Sequence, residues 1–366
     1  VTYRYAVVGS AEPDRWGEAL DRVCAHDVYA TSSYCDIYEK NGEGSAKLFV
    51  YEQEDRIVVY PFLLRPLAGL PAYERLAPGE MWYDASTPYG YGGPLTNETD
   101  LQRRKELLRQ FDAAFDRYCR ETRIVSEFVR FHPLLPEGLD YEAVQPAFVR
   151  NTIAIDLRGS EEDILAAYSR DNRNRIRRAL KEGLAVVRSD PRRMDNLLAL
   201  YYGTMDKKEA SDYYYFSETF FRNTVDFLAG RIELFEVTCD GRTIASALFM
   251  HGSPYAHYHL MGSDKAYLRF APINLLIHTA AMWLKSIGCT HLHLGGGYTG
   301  NDNLYRFKRS FNEREAVSFH VGTRVRDADK YRLLAANVPG AAAAADGYFP
   351  AYRRIAEVPA ELAASE

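Results

Sequence analysis

The chain has 366 residues, with 45 Lys and Arg against 50 Asp and Glu, and a net charge of −5 that excludes a globally basic nucleic-acid coat. With 47% hydrophobic residues, 26% charged residues and a mean hydropathy of −0.34, it also falls outside the ranges of disordered, collagenous and coiled-coil chains. Two domains suit this length better than one, and the 27 tyrosines point either to wet clefts or to sheet-rich packing.

The first half opens with a strand-like TYRYAVV (2–8), followed by a helical segment over 14–27. Residues 46–64 form two apolar, β-branched runs around Glu54 and Asp55, the pattern of a hairpin. A Pro/Gly/Tyr-rich stretch at 88–99 is too irregular for either regular element. Thr99 and Asp100 then offer caps to a helix over 101–121, with apolar residues at Leu101, Leu107, Leu108, Phe111, Ala114, Phe115 and Tyr118. IVSEFVRF (124–131) reads as a strand.

The second half starts near Asn151. Ser160, Glu161, Glu162 and Asp163 make a capping-box start, and Gly183 is the stop of the helix that follows. A short strand over 184–188, a helix over 194–208 and a Ser217-capped helix closed by Gly230 come next. Residues 231–263 give three strands joined at Asp240-Gly241 and at Gly252-Ser253-Pro254. The most apolar window, 270–288, carries His278 and Lys285 and contains Pro272, so it predicts a buried helix and not a membrane span. Strand 290–294, the loop GGGYTGND (295–302), a short helix over 303–311 and a strand over 315–322 complete the series.

This order, α-β-α-α-β-β-β-α-β-α-β, is that of an N-acetyltransferase-like α/β domain, and the first half is a looser version without a residue-level repeat. The expected domains are 1–150 and 151–328, with mixed, mainly antiparallel sheets, and a tail over 329–366 containing Ala341 to Ala345 that packs back or frays. The five cysteines are odd in number and widely spaced, and no basic-then-apolar leader stands at the start. A soluble, cytoplasmic protein is therefore expected.

The pair of motifs PYGYGGPL (88–95) and LHLGGGYTGNDNLYRFKRSF (292–311) resembles the FemABX aminoacyltransferases, over most of residues 30–320. The second motif is the more specific. The resemblance implies two tandem GNAT-like domains and transfer of an aminoacyl group from aminoacyl-tRNA to an amine, in the best-known cases on a peptidoglycan precursor peptide. The chain has no room for the long coiled-coil insertion of some members, so it is similar to the compact ones.

An aminoacyl ester is already activated, so such an enzyme needs positioning and a donor for the developing oxyanion, and no nucleophilic side chain. Consistently, there is no G-x-S-x-G elbow, no H-E-x-x-H and no P-loop. The Q/R-x-x-G-x-G/A loop that holds coenzyme A is also missing, which turns the expected donor away from acyl-CoA. By resemblance, the lysine of the F-K-x-x-F pattern, Lys308, lies in the active site beside substrate phosphates or the reacting carbonyl. Phe307 and Phe311, four apart, would lock it to the core. Gly295, Gly296 and Gly297 close a strand where backbone can approach a ligand or simply turn.

Residues 168–181 hold six cations and one acid, with Arg170, Arg173, Arg177 and Lys181 in one helical stripe. Such a stripe is either a solvated face or a phosphate site; the resemblance implies a tRNA acceptor stem or a nucleotide diphosphate on Arg173, Arg177 and Lys181. By the same resemblance Lys207, with Lys208 beside it, stands where a phosphate-binding cation is expected, before the aromatic run containing Tyr215. Tyr258 and His259 are expected to contact substrate, and Tyr305, Gly296 and Tyr91 to line the cleft with them. His257-Tyr258-His259 and His291-Leu292-His293 place two H-x-H pairs on strands. With no matching Cys or carboxylate, sheet packing or a cleft wall is expected and no metal is assigned.

The expected protein is a two-domain α/β aminoacyltransferase using aminoacyl-tRNA as co-substrate, with no cofactor and no stable membrane insertion, as a monomer or weak dimer. Its amine acceptor is a peptide, a nucleotide-linked precursor or a small molecule. An acyl-CoA-dependent N-acyltransferase and a catalytically silent binding or scaffold protein stand as the alternatives.

Overall fold

The computed structural model describes residues 2–74, 79–205, 216–298, 300–338 and 348–354. The chain divides into two compact units, each discontinuous in sequence. The first comprises Val1–Ala25, Gly42–Ala147 and His320–Glu366, and the second His26–Asn41 and Phe148–Phe319. The spans 1–150 and 151–328 are therefore interleaved, because short segments fold where their apolar faces and strand edges are paired.

In the first unit the strands are β1 (Arg4–Gly9), β2 (Ser45–Gln53), β3 (Arg56–Pro66), β4 (Tyr83–Ser86), β5 (Leu95–Thr96), β6 (Ile124–Arg130) and the end of β13 (Val317–Val325). Their order is β1-β2-β3-β4-β6-β13, with β5 beside β3. All pairs are antiparallel except β4 with β6. The β2–β3 hairpin turns at Glu54 and Asp55 as expected, with Gln53 opposite Arg56 and Glu54 in the left-handed region. Helix α4 (Leu101–Thr122) starts where Asp100 accepts the Arg103 amide, 2.9 Å away. It buries Leu107, Leu108, Phe111, Ala114 and Phe115, while Leu101 at its end stays exposed. α3 (Pro71–Glu74), α11 (Ala328–Ala336) and a single turn at Ala351–Arg353 share a cluster in this unit through Ala72, Tyr73, Leu334, Val338 and Tyr352. The Ala341 to Ala345 run lies outside the described residues.

The helix expected over 14–27 ends early, as α1 (Pro13–Leu20). Residues 26–41 instead belong to the second unit and contain α2 (Ser32–Lys40), which the sequence reading missed. Tyr34, Cys35, Ile37 and Tyr38 lie buried on one side of it, opposite Ser33, Asp36, Glu39 and Lys40, but this stripe runs for little more than two turns and so carries a short periodic signal. Tyr38 meets Phe220 of α8 (Glu218–Phe227), ring centroids 5.8 Å apart.

The second unit has strand order β7-β12-β11-β10-β9-β8: β7 (Ala147–Asp156), β12 (His291–Gly295), β11 (Tyr255–Ser263), β10 (Arg242–His251), β9 (Ile232–Cys239) and β8 (Ala185–Ser189). Only β11 with β12 is parallel, so the sheet is mixed and mainly antiparallel, as expected. Strand β7 was not read from the sequence. The helix expected from Ser160 to Gly183 is two: α5 (Glu161–Ala167) under the Ser160–Asp163 capping box, and α6 (Arg170–Lys181), whose cap Ser169 accepts the Asn172 amide at 3.0 Å. α7 (Asp195–Met205) crosses β11 at Gly262, where a Cβ would stand 2.3 Å from the Leu200 and Tyr201 backbone. α9 (Pro272–Ser286) buries most of its residues in a core with Phe235, Phe249 and Leu292. The apolar window is thus a core helix, and among the described residues no helix is long and apolar enough to cross a membrane.

Candidate active site

β11 and β12 pair from Tyr255 with His291 to His257 with His293, and pairing stops there. β11 goes on with β10 as far as Ser263, and β12 follows β7 to Gly295 with a register slip. The strands separate at their carboxyl ends, the place where ligands enter open α/β sheets. β11 also gains a residue on β10 between Tyr258 and Met261, so His259 lies in a bulge beside the separation, a common device for re-aiming side chains near active sites.

β12 runs into the glycine loop and then α10 (Asn303–Arg309). Gly295 has φ +76, and a Cβ on Gly297 would lie 2.2 Å from Asp302 Oδ1, so neither position accepts a side chain without rearrangement. Asp302 caps α10 by accepting the Tyr305 amide at 2.7 Å and closes the loop by accepting the Tyr298 amide at 2.5 Å. Three consecutive loop carbonyls are then fixed by cations. Lys308 Nζ donates to Gly296 O at 2.8 Å, and Arg150 Nη1, from β7, donates to Gly297 O at 2.6 Å and Tyr298 O at 2.9 Å.

Lys308 is 9% exposed. Phe307 and Phe311 are in edge contact at 5.5 Å, and Phe311 meets Tyr168 at 5.3 Å, so the helix carrying Lys308 is locked to the core. Buried Asn172 adds a second lock: its Nδ2 donates to Ser310 O at 3.1 Å, and its Oδ1 accepts from Asn274 of α9 at 2.9 Å. Tyr305, expected at substrate, is a buried member of this core. Gly296 takes part through the carbonyl that Lys308 holds.

Tyr258 packs half-buried on Phe249, centroids 5.5 Å apart, and burial raises its hydroxyl pKa. Burial, with repulsion from His257, lowers His259 to about 4, so it is neutral at physiological pH. The H-x-H pairs do adjoin: the His257 and His293 rings are 5.7 Å apart. Each makes its own bond. His257 Nε2 meets the buried carboxylate of Asp27, and His293 Nε2 lies 2.9 Å from Thr152 Oγ1. The Thr152 hydroxyl spends its proton on Val317 O at 3.0 Å, so it accepts from His293, which fixes that ring's tautomer.

On α6, Arg177 and Lys181 are exposed, but half-buried Arg173 donates to the Leu165 and Tyr168 carbonyls and caps the end of α5. Tyr91 lies in the first unit, in edge contact with His132 at 5.8 Å. Lys207, Lys208 and Tyr215 lie outside the described residues. Sequence reading missed Arg150, Asp302, Asn172 and Asp27. Asp302 had a local signal, a cap residue three before Tyr305; the other three act across the fold and had none.

Residues 169–309 match the model of the GNAT acetyltransferase domain family. No curated protein matches the chain at a significant level. Among solved structures, FemX superposes with a TM-score of 0.68 at 14% identity, covering 90% of this chain and 99% of FemX. The C-terminal domain of a protein named as a lysylphosphatidylglycerol synthetase from Agrobacterium fabrum gives a TM-score of 0.51 at 15% identity, over 89% and 95% of the two chains. A tandem GNAT protein from the clavulanic acid biosynthesis pathway gives 0.50 at 11% identity, over 88% and 98%. Residues 169–309 are thus similar to a GNAT acetyltransferase domain, and the chain shares the fold of FemX and of the tandem GNAT protein, as the two sequence motifs implied.

Proposed function

We propose that the chain transfers an aminoacyl group from aminoacyl-tRNA to an amine acceptor, a peptidoglycan precursor peptide or a small metabolite, in the cytoplasm. The observation that carries this reading is Lys308, a buried ammonium fixed to a glycine loop where β11 and β12 separate. The acceptor amine attacks the ester carbonyl; the C–N bond forms, the ester C–O bond breaks, and the amine proton reaches the departing ribose oxygen through substrate or water. Lys308 would donate to the oxyanion or to the acceptor's phosphates. A well-placed donor of this kind contributes about 3–4 kcal/mol, and positioning of the two substrates roughly 7–11 kcal/mol. Arg177 and Lys181, exposed on α6, suit phosphate contacts, whereas Arg173 is occupied in capping α5. Lys207, Tyr215, Tyr258, His259 and Tyr91 keep their assignment to substrate from the family resemblance alone.

The GNAT match over 169–309 favours one other reading, an acyl-CoA donor. Incubation with charged total tRNA, labelled amino acids and an amine pool separates the two. Ribonuclease-sensitive amide formation supports the tRNA donor. Ribonuclease-insensitive transfer with release of free coenzyme A overturns it in favour of the second.

A further inference from the structure

Arg150 holds the glycine loop with one nitrogen only. Both Nη1 protons are spent, one on Gly297 O and one on Tyr298 O. The Nε and Nη2 edge, two parallel N–H groups, has no acceptor among the described residues, and no described carboxylate lies within ion-pair distance of this half-buried guanidinium. No acid of the protein among the described residues occupies that edge, which is shaped for bidentate recognition of an oxyanion.

We propose that the Nε and Nη2 edge of Arg150 is a binding site for a phosphate group of the substrate. Lys308 holds the neighbouring carbonyl of the same loop, so the loop carries a second cation besides Arg150. A phosphate presents two free oxygens to that fork while still esterified on its other oxygens, as in a nucleoside diphosphate or an RNA end. The phosphate belongs either to a nucleoside diphosphate on the acceptor or to the RNA end of the donor. The proposal takes from the transferase reading only that this loop is the substrate site.

Calorimetric titration with inorganic pyrophosphate, uridine diphosphate and the trinucleotide CCA tests it without any transfer assay. The wild-type chain should bind pyrophosphate, and Arg150→Met should weaken it about tenfold to a hundredfold. Arg150→Lys keeps the charge and a donor for the loop but loses the fork, and should give an intermediate loss. The state of the loop is read separately by acetic anhydride labelling of Lys308, with Lys285, whose Nζ donates to Leu157 O at 2.9 Å, as internal reference. An unchanged Lys308 to Lys285 ratio in Arg150→Lys, with weakened binding, establishes direct contact. A raised ratio accompanying the loss assigns it to loop collapse and overturns the proposal. So does wild-type affinity in Arg150→Met, or no binding of any probe to the wild-type chain. Tighter binding of uridine diphosphate than of CCA places the phosphate on the acceptor; the reverse places it on the RNA.

Discussion

Two arginines, one in each unit, show how differently this chain uses a cation. Arg326 in the first unit has a side chain 1% exposed and meets Glu127 at 2.5 Å, Asp112 at 2.9 Å and Asp116 at 3.2 Å. Its Nη2 also donates to Tyr141 Oη at 2.8 Å. Burial alone would lower its pKa, but Glu127 and its neighbours outweigh burial and raise it. That charge is fully answered inside the protein and serves architecture. Arg150 in the second unit gives its bonds to carbonyls, and no described acid pairs with it. Carbonyls orient a cation without neutralising it, so the second unit keeps positive charge available for an anionic ligand.

Removing Arg326 is the severest test of this contrast. Arg326→Met leaves Glu127, fully buried, without its partner and should cost about 3–5 kcal/mol in urea unfolding. A loss under about 1 kcal/mol would mean that the network does not hold the first unit together. Lys308→Met, which frees the Gly296 carbonyl, should instead cost no more than about 1–3 kcal/mol in unfolding and cut transfer about 10²–10³-fold in a steady-state assay. Near-normal turnover would remove Lys308 from the chemistry. Gly262→Ala drives a methyl into the α7 backbone and should destabilise by about 1–3 kcal/mol without touching any cation.

The smallest effect concerns pH. His259 is lowered to about 4 from an ordinary value of about 6.5, so the unfolded chain binds the proton first. Its contribution to stability is intact above pH 6.5 and is lost as pH falls toward 4. His251, His278 and His291, also lowered by burial, add to the same trend. His259→Gln should therefore flatten part of the pH dependence of the urea midpoint across that window; an unaltered profile would mean that His259 is not held neutral by its surroundings.

Much of the fold could be read from local pattern. The Glu54-Asp55 hairpin, the apolar stripe of α4, the Ser160 capping box and the Asp240-Gly241 turn are set by near neighbours, and each appears as expected. Lys308 could be singled out because its motif is local, and Phe307 and Phe311 anchor its helix as their spacing implied. α2 was missed because its apolar stripe is only about two turns long, and the break at Tyr168 and Ser169 because two adjacent capped helices share one polar, periodic run. Arg173 was read as a ligand-facing cation, since a helical stripe does not reveal that one member reaches back to the Leu165 and Tyr168 carbonyls.

The sequence by itself determined the element order, the glycine loop with its lysine and the basic face of α6, because propensity, capping and motif spacing act over a few residues. Only the tertiary structure decided that residues 26–41 fold with the second unit, that Asp27 meets His257, and that Arg150 holds a loop 147 residues away. Those contacts depend on which strands pair and where β11 and β12 separate, and sheet pairing joins residues whose separation in the chain carries no local signal.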